Sequence, residues 1–346
     1  MDKRRFIKRI VKNGFYTREM IIHSDGDYTE NIEINGDVHF YRYRVSNQRN
    51  IESFISNDFW ASLPITFNDP YDGYLTFNIK KMVLHKKESE NLIKDNSALY
   101  QINRFSTQIT KRLNYVASLS EQVTNSTMWS HYADNAKGFA VEYCYQNLNE
   151  ALDIFVDQEI KILIDTFNIT DEEVSIETWN KFKEFHKRIL PVNYNTKAFD
   201  YTDEMIKESE KDENINRESI INGLNMYNDE DFFYKNRGVR DHLAVNKNPN
   251  WSYEREWRVI VGNVINGYDH TVLASVPILG IYLGEFMSDT DIYLLVSAAE
   301  KKHIPIYQMR TVYSKTTNKL RTHKFSEKEI KKIIDMQHFF DFKIID

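Results

Sequence analysis

The stretch WSYEREWRVIV, Trp251 to Val261, decides how the chain is read. Its tryptophans and β-branched residues favour a strand over Glu254–Val261. Side chains at i and i+2 of a strand share a face, so Glu254, Glu256 and Arg258 are expected to stand in one row. A half-buried strand normally carries apolar residues on one face and scattered polar ones on the other. Three ionisable groups beside Trp251, Tyr253 and Trp257 therefore call for a reason. Two stay open: chemistry, or a structural ion pair of the glutamates with Arg258 or Arg255.

Working outward, further strands are expected at Val38–Arg44, Tyr74–Lys80, Asn114–Ser120, Gly138–Tyr145, Val192–Tyr194, Thr271–Ser275, Gly280–Leu283 and Ile306–Val312. On the first of these, His39, Tyr41 and Tyr43 face one way, with Phe40, Arg42 and Arg44 opposite. Helical spacing marks Ile51–Leu63, closed by Pro64, then parts of His85–Arg112, Asn149–Leu190 and Tyr201–Leu243, and finally Thr290–Lys302 and Ser326–Met336. Asn68-Asp69-Pro70 is a turn. Met128–Asp134 reads as a connector dense in rings. The basic start, MDKRRFIKRIVKNGFY, is expected as a short amphipathic helix, and His23–Asn35 as a loop or weak hairpin. The order predicts an α+β protein: a strand-rich mixed-sheet core with helical insertions near 84–112 and 150–245. An N-terminal extension covers 1–37, the main domain 38–313 and a C-terminal helical tail 314–346.

Composition narrows the function. With 346 residues, 41% hydrophobic and 14% aromatic, the chain can build a core rich in rings with polar handles. A net charge of -6 disfavours nonspecific binding to a polyanion. The lone cysteine, Cys144, permits no disulfide framework or zinc-thiolate site within one chain, which fits a reducing cytoplasm, and its place at the end of an apolar strand suits a core thiol. No run approaches the ~20 apolar residues a bilayer requires, so no membrane partner is expected. Phosphate-loop and dinucleotide glycine fingerprints are missing, and no histidine pair has metal-ligand helical spacing.

Five blocks occur in order: Tyr41-Arg42-Tyr43; Phe67-Asn68-Asp69-Pro70-Tyr71-Asp72; Ser118-Leu119-Ser120-Glu121; Met128-Trp129-Ser130-His131-Tyr132-Ala133-Asp134 with Lys137-Gly138; and Tyr253-Glu254-Arg255-Glu256-Trp257-Arg258. Through them the chain, from Val38 to Val312, resembles a bacterial family known as domain of unknown function 2971, some of whose relatives sit among abortive-infection and phage-defence genes. A second resemblance is to ADP-ribosyltransferases of the Arg-Ser-Glu type, with an arginine on a first strand, a Ser-x-Ser strand and a later Glu-x-Glu. Arg42 or Arg44, Ser118 and Ser120, and Glu254 and Glu256 follow that order.

The second resemblance implies an ADP-ribosyltransferase-like sheet and a defence effector or toxin that uses NAD as its substrate, with a protein or nucleic-acid acceptor or water. Glu256 would hold the ribose and stabilise its cation, and Glu254 would activate the acceptor. Arg42 or Arg44 would grip the pyrophosphate, with Tyr43 alongside, and Ser118 or Ser120 would hold Glu256. Trp129, His131 and Tyr132 would stack on a ring of the dinucleotide. Each has a plainer alternative: core aromatics, polar strand residues, or arginines paired with those same glutamates. Two rival functions are a metal-dependent nuclease using Asp69, Asp72 and Glu142, with no companion lysine evident, and a non-catalytic sensor that binds a phage protein or nucleotide through the aromatic cluster. The oligomeric state stays open.

Overall fold

The computed structural model describes residues 5–9, 16–22, 28–34, 36–69, 72, 75–76, 104, 108, 111–112, 114–194, 199–200, 202, 217–229, 244–262, 270–313 and 318–336. The first half holds β1 (Arg5–Arg9), β2 (Tyr16–Ile22), β3 (Tyr28–Ile34), β4 (His39–Arg44), α1 (Gln48–Ser56), β5 (Asp58–Ser62), β6 (Leu75–Thr76), β7 (Asn114–Ser120), α2 (Ser126–Tyr132), β8 (Phe139–Cys144) and α3 (Tyr145–Phe167). The second holds α4 (Ile176–His186), β9 (Lys187–Pro191), β10 (Asn193–Tyr194), β11 (Phe199–Asp200), α5 (Arg217–Asn225), β12 (Asn246–Lys247), β13 (Glu256–Gly262), β14 (His270–Ser275), β15 (Gly280–Leu283), α6 (Asp289–Lys301), β16 (Ile306–Tyr313), β17 (Asn318–Lys324) and α7 (Glu327–Asp335).

Ten of these strands form one mixed sheet, in the order β14-β5-β7-β4-β8-β15-β16-β17, with β13 paired to both β7 and β9. Neighbours are antiparallel except β15 and β16, the pair that flanks α6. The α+β expectation holds. One face of the sheet is apolar: Tyr115, Ala117 and Leu119 of β7 share it with Trp257, Val259 and Val261 of β13. Phe54 of α1, the Leu148–Leu152–Phe155 stripe of α3 and Leu295, Val296 and Ala299 of α6 belong to the same core. Each fully buried side chain of this kind contributes ~1.5–3 kcal/mol, so this face holds the sheet together.

The other face is where the sheet opens. β7 pairs with β13 along its whole length, from Asn114↔Gly262 to Ser120↔Glu256. Along its opposite edge β4 meets it at Tyr41↔Ser120 and β5 meets it at Ser62↔Val116. Among the described residues, 117–119 have no strand on that side. The two neighbours splay apart and leave a rift over the middle of β7.

Several local expectations change. Helix α1 stops at Asn57, which takes the left-handed conformation (φ 61), and Phe59–Ser62 then alternates as a strand instead of extending the helix. Met128–Asp134 is mostly helical, because Asn125 caps α2 by accepting from the Thr127 amide. Lys187–Pro191, expected within a helix, pairs with β13. The basic start forms β1, which pairs antiparallel with β2, and β3 completes a separate small sheet. The C-terminal tail opens with β17, paired to β16, before its helix. Cys144 is half-buried at the end of β8. Most of the helices expected over 85–112 and 201–243 lie outside the described residues.

Candidate active site

A cleft of about 430 Å³ occupies the rift, within the ~300–1,000 Å³ usual for small-molecule sites. Its walls include Tyr41–Arg44 of β4, Ser62 of β5, Phe67 and Asn68 beyond it, Ser118–Ser120 of β7, Tyr132 of α2, and Asp72, Lys247, Glu254 and Glu256.

The acid wall is shaped by a turn. Asn248 caps the turn Pro249–Glu254, and Arg255 closes it in the left-handed region (φ 45), so β13 begins only at Glu256. Glu254 is therefore not on the strand, and its meeting with Glu256 does not come from strand alternation. Lys247 brings them together, donating from Nζ to Glu254 Oε2 at 2.6 Å and to Glu256 Oε2 at 2.9 Å. Arg258, which does share a face with Glu256, donates from Nε to its Oε1 at 2.8 Å and forks onto both oxygens of Asp72 at 2.8 and 2.5 Å. The Ser120 hydroxyl donates to the Glu254 carbonyl at 2.6 Å, the Tyr194 hydroxyl accepts from the Glu256 amide at 2.8 Å, and Ser118 lies near enough to favour the ionised Glu256 carboxylate. Arg255 is exposed; the partner of Glu256 is Arg258.

All five charged residues are buried. Two cations, Lys247 and Arg258, face three carboxylates, Asp72, Glu254 and Glu256, with the buried Lys111 and Asp69 nearby. Burial and the nearby Glu256 raise the Glu254 carboxyl to about 7, against relief from Lys247 and Tyr132. Burial works on Glu256 too, but Arg258, Lys247 and Ser118 outweigh it and hold that carboxyl well below its ordinary range. Lys247 is pushed the other way: burial disfavours its ammonium, and Glu256, Glu254 and Asp72 more than offset this. Two carboxyls with protonation driven apart are the usual mark of an acid–base pair.

The opposite wall is cationic and open. Arg42 lies with its Cζ 4.8 Å from the Phe59 ring centre, and its Nη1 is buried without a hydrogen-bond partner. Arg44 donates from Nη1 to Asn50 Oδ1 at 3.1 Å. Neither arginine pairs with a carboxylate among the described residues, so the alternative in which they neutralise Glu254 and Glu256 is not realised. Burial, and for Arg42 the adjacent Arg44, press both guanidinium pKa values down. Register places Tyr41 and Tyr43 on the face of Ser120, and Arg42 and Arg44 on the other. Both arginines nonetheless line the cleft.

Residues 128–259 match the model of a family described as protein of unknown function (DUF2971). Over that stretch the chain is similar to that family. The DUF2971 match takes in Tyr132, Lys247, Glu254, Glu256 and Arg258, while Arg42, Arg44, Asp72, Ser118 and Ser120 precede it. No curated protein and no solved structure matches the chain. Among the described residues, no helix is long and apolar enough to cross a membrane.

The remaining expected residues divide. Tyr132 lines the cleft and donates its hydroxyl to Glu254 Oε1. Tyr43 lines it too, but its hydroxyl donates to the Gln122 carbonyl at 2.6 Å. Trp129 is 1% exposed, donates to the Val123 carbonyl and packs edge-on against Tyr43, so it is a core residue. His131 is exposed on the outer surface, with Nδ1 3.0 Å from the Tyr253 hydroxyl. Asp72 and Glu142 serve different neighbourhoods, since Glu142 meets His39 at 2.6 Å and Tyr282 at 2.8 Å on β8. Among the described residues no group of three or more potential ligands gathers for a metal. Lys247, the hub of the acid wall, was not singled out from sequence. Its only local signal is a lone cation between the apolar pair Ala244-Val245 and the turn at Asn248-Pro249.

Proposed function

We propose that this protein cleaves NAD, as an ADP-ribosyltransferase or NAD glycohydrolase, and acts as a toxin or phage-defence effector. The observation that carries the reading is the polarity of the cleft. One wall offers guanidiniums with an unsatisfied buried donor; the other offers a carboxylate held ionised and a second one raised to about 7, able to take up a proton near neutrality. NAD needs both, having a pyrophosphate at its centre and a ribose–nicotinamide bond whose rupture creates positive charge on the sugar. Arg42 and Arg44 bind the pyrophosphate. Glu256, kept ionised by Arg258 and Lys247, stabilises the ribosyl cation, with Ser118 fixing its carboxylate. Glu254, poised near neutrality, receives the proton of the attacking water or acceptor hydroxyl.

The test follows nicotinamide release from labelled NAD by the full chain, with and without cell extract. Wild type releases nicotinamide, and Glu254→Gln lowers the rate ~10²–10⁴-fold. The amide resembles the protonated form of Glu254, so this variant keeps its fold. Glu256→Gln is the less clean probe because it removes a charge partner from both Arg258 and Lys247. Intact NAD under all these conditions, or an undiminished rate in Glu254→Gln, overturns the reading.

A further inference from the structure

Both carboxylate oxygens of Glu254 are already engaged, Oε1 by the Tyr132 hydroxyl and Oε2 by Lys247 Nζ. Glu254 is 2% exposed, whereas Tyr132 is half-buried on the cleft wall. Both residues line the cleft, and the phenol, hydrogen-bonded to the carboxyl, is the more exposed of the two. Lys247 cannot carry a proton inward, since an ammonium has donors only and no lone pair. A hydroxyl can do both, accepting one proton on its oxygen while giving up its own.

We propose that Tyr132 is the proton relay of the cleft, taking the proton of the attacking water or acceptor hydroxyl and passing its own to Glu254. The proposal rests on the NAD-cleavage reading above. As the nucleophile's oxygen bonds to the ribose carbon, its hydrogen moves to the Tyr132 oxygen and the Tyr132 hydrogen moves to Glu254 Oε1. Nicotinamide leaves with the electron pair of the broken C–N bond and becomes neutral. Atoms and charge balance without any further reactant.

The surroundings suit a relay that stays a phenol. Burial and then Glu254 push the Tyr132 hydroxyl far above its ordinary range, so it keeps the hydrogen it must hand on. The groups around the pair are Lys247 on β12, Glu256 on β13, Tyr253 in the adjoining turn and His131 on α2, with Arg258 and Asp72 behind Glu256.

Tyr132→Phe keeps the ring and deletes the hydroxyl. The relay predicts that kcat for nicotinamide release falls ~10²-fold or more while KM for NAD stays within about twofold. In mixtures of light and heavy water, the wild-type rate should fall along a curve, the mark of two protons in motion, and the variant's along a line. An unchanged kcat in Tyr132→Phe, or a linear wild-type dependence, overturns the relay while leaving NAD cleavage standing. A wild type that releases no nicotinamide overturns both. Should Tyr132→Phe not fold, the wild-type isotope dependence decides alone.

Discussion

The acid wall and the guanidinium wall border one cleft, yet their charges are treated in opposite ways. On the acid wall every carboxylate meets a cation: Asp72 with Arg258, Glu256 with Arg258 and Lys247, Glu254 with Lys247. On the other, Arg42 holds a buried donor that nothing satisfies, and Arg44 reaches a neutral amide. A closed network repays the desolvation of its members, whereas an open buried cation costs free energy until an anion arrives. The first wall is built into the fold. On the proposed reading, the second is completed by the pyrophosphate of the ligand.

Removing a partner from each wall should separate them. Arg258→Met strips Asp72 of its forked partner and leaves Glu256 with Lys247 alone, and should cost ~3–5 kcal/mol of unfolding free energy in a denaturant titration. A loss under about 1 kcal/mol would mean the network contributes little to the fold. Arg42→Met should leave stability unchanged or raise it by up to about 1 kcal/mol, because it removes a buried charge that has no carboxylate partner among the described residues. A marked loss would show that Arg42 serves the structure and not a ligand.

Acidity sharpens the contrast within the acid wall itself. Glu254 has its folded pKa raised from 4.5 to about 7, so its contribution to stability is complete in mild acid and is lost as pH rises through 7. Glu256 is depressed, so its contribution is present above its ordinary range and is lost only in strong acid. The wild-type melting temperature should therefore lose a few degrees of Glu254's contribution between about pH 4.5 and about pH 7, and Glu254→Gln should remove that loss. Equal slopes for the two proteins would refute the proton placement. The smallest effect is expected at His131, outside the cleft: His131→Ala should leave KM for NAD within about twofold of wild type.

Much of the sheet was legible from alternation. Asn114–Ser120 and Ile306–Val312 alternate over part of their length and Gly280–Leu283 is a short apolar run, and each appears as a strand. Glu256 and Arg258 share a face as their spacing predicts. Glu254 was misplaced because a left-handed Arg255 interrupts the pattern, and no residue type announces that conformation in a non-glycine. Lys247 escaped because β12 has only two residues, too short for any period to show. Of the Trp129-Ser130-His131-Tyr132 block, composition could not say that a short helix turns Trp129 inward and Tyr132 toward the cleft. The rift depends on two strands that each touch β7 at one residue pair, information that lies in three dimensions and not in any local stretch.

The central claim, that the open guanidinium wall marks a dinucleotide site, is tested most directly by calorimetric titration of an NAD analogue with an uncleavable ribose–nicotinamide bond. Saturable one-to-one binding to wild type, weakened ~10-fold or more in Arg42→Ala, is the predicted result, given that losing a charge-assisted hydrogen bond costs ~1.5–3 kcal/mol. No heat of binding to wild type, or equal affinity in Arg42→Ala, would contradict it.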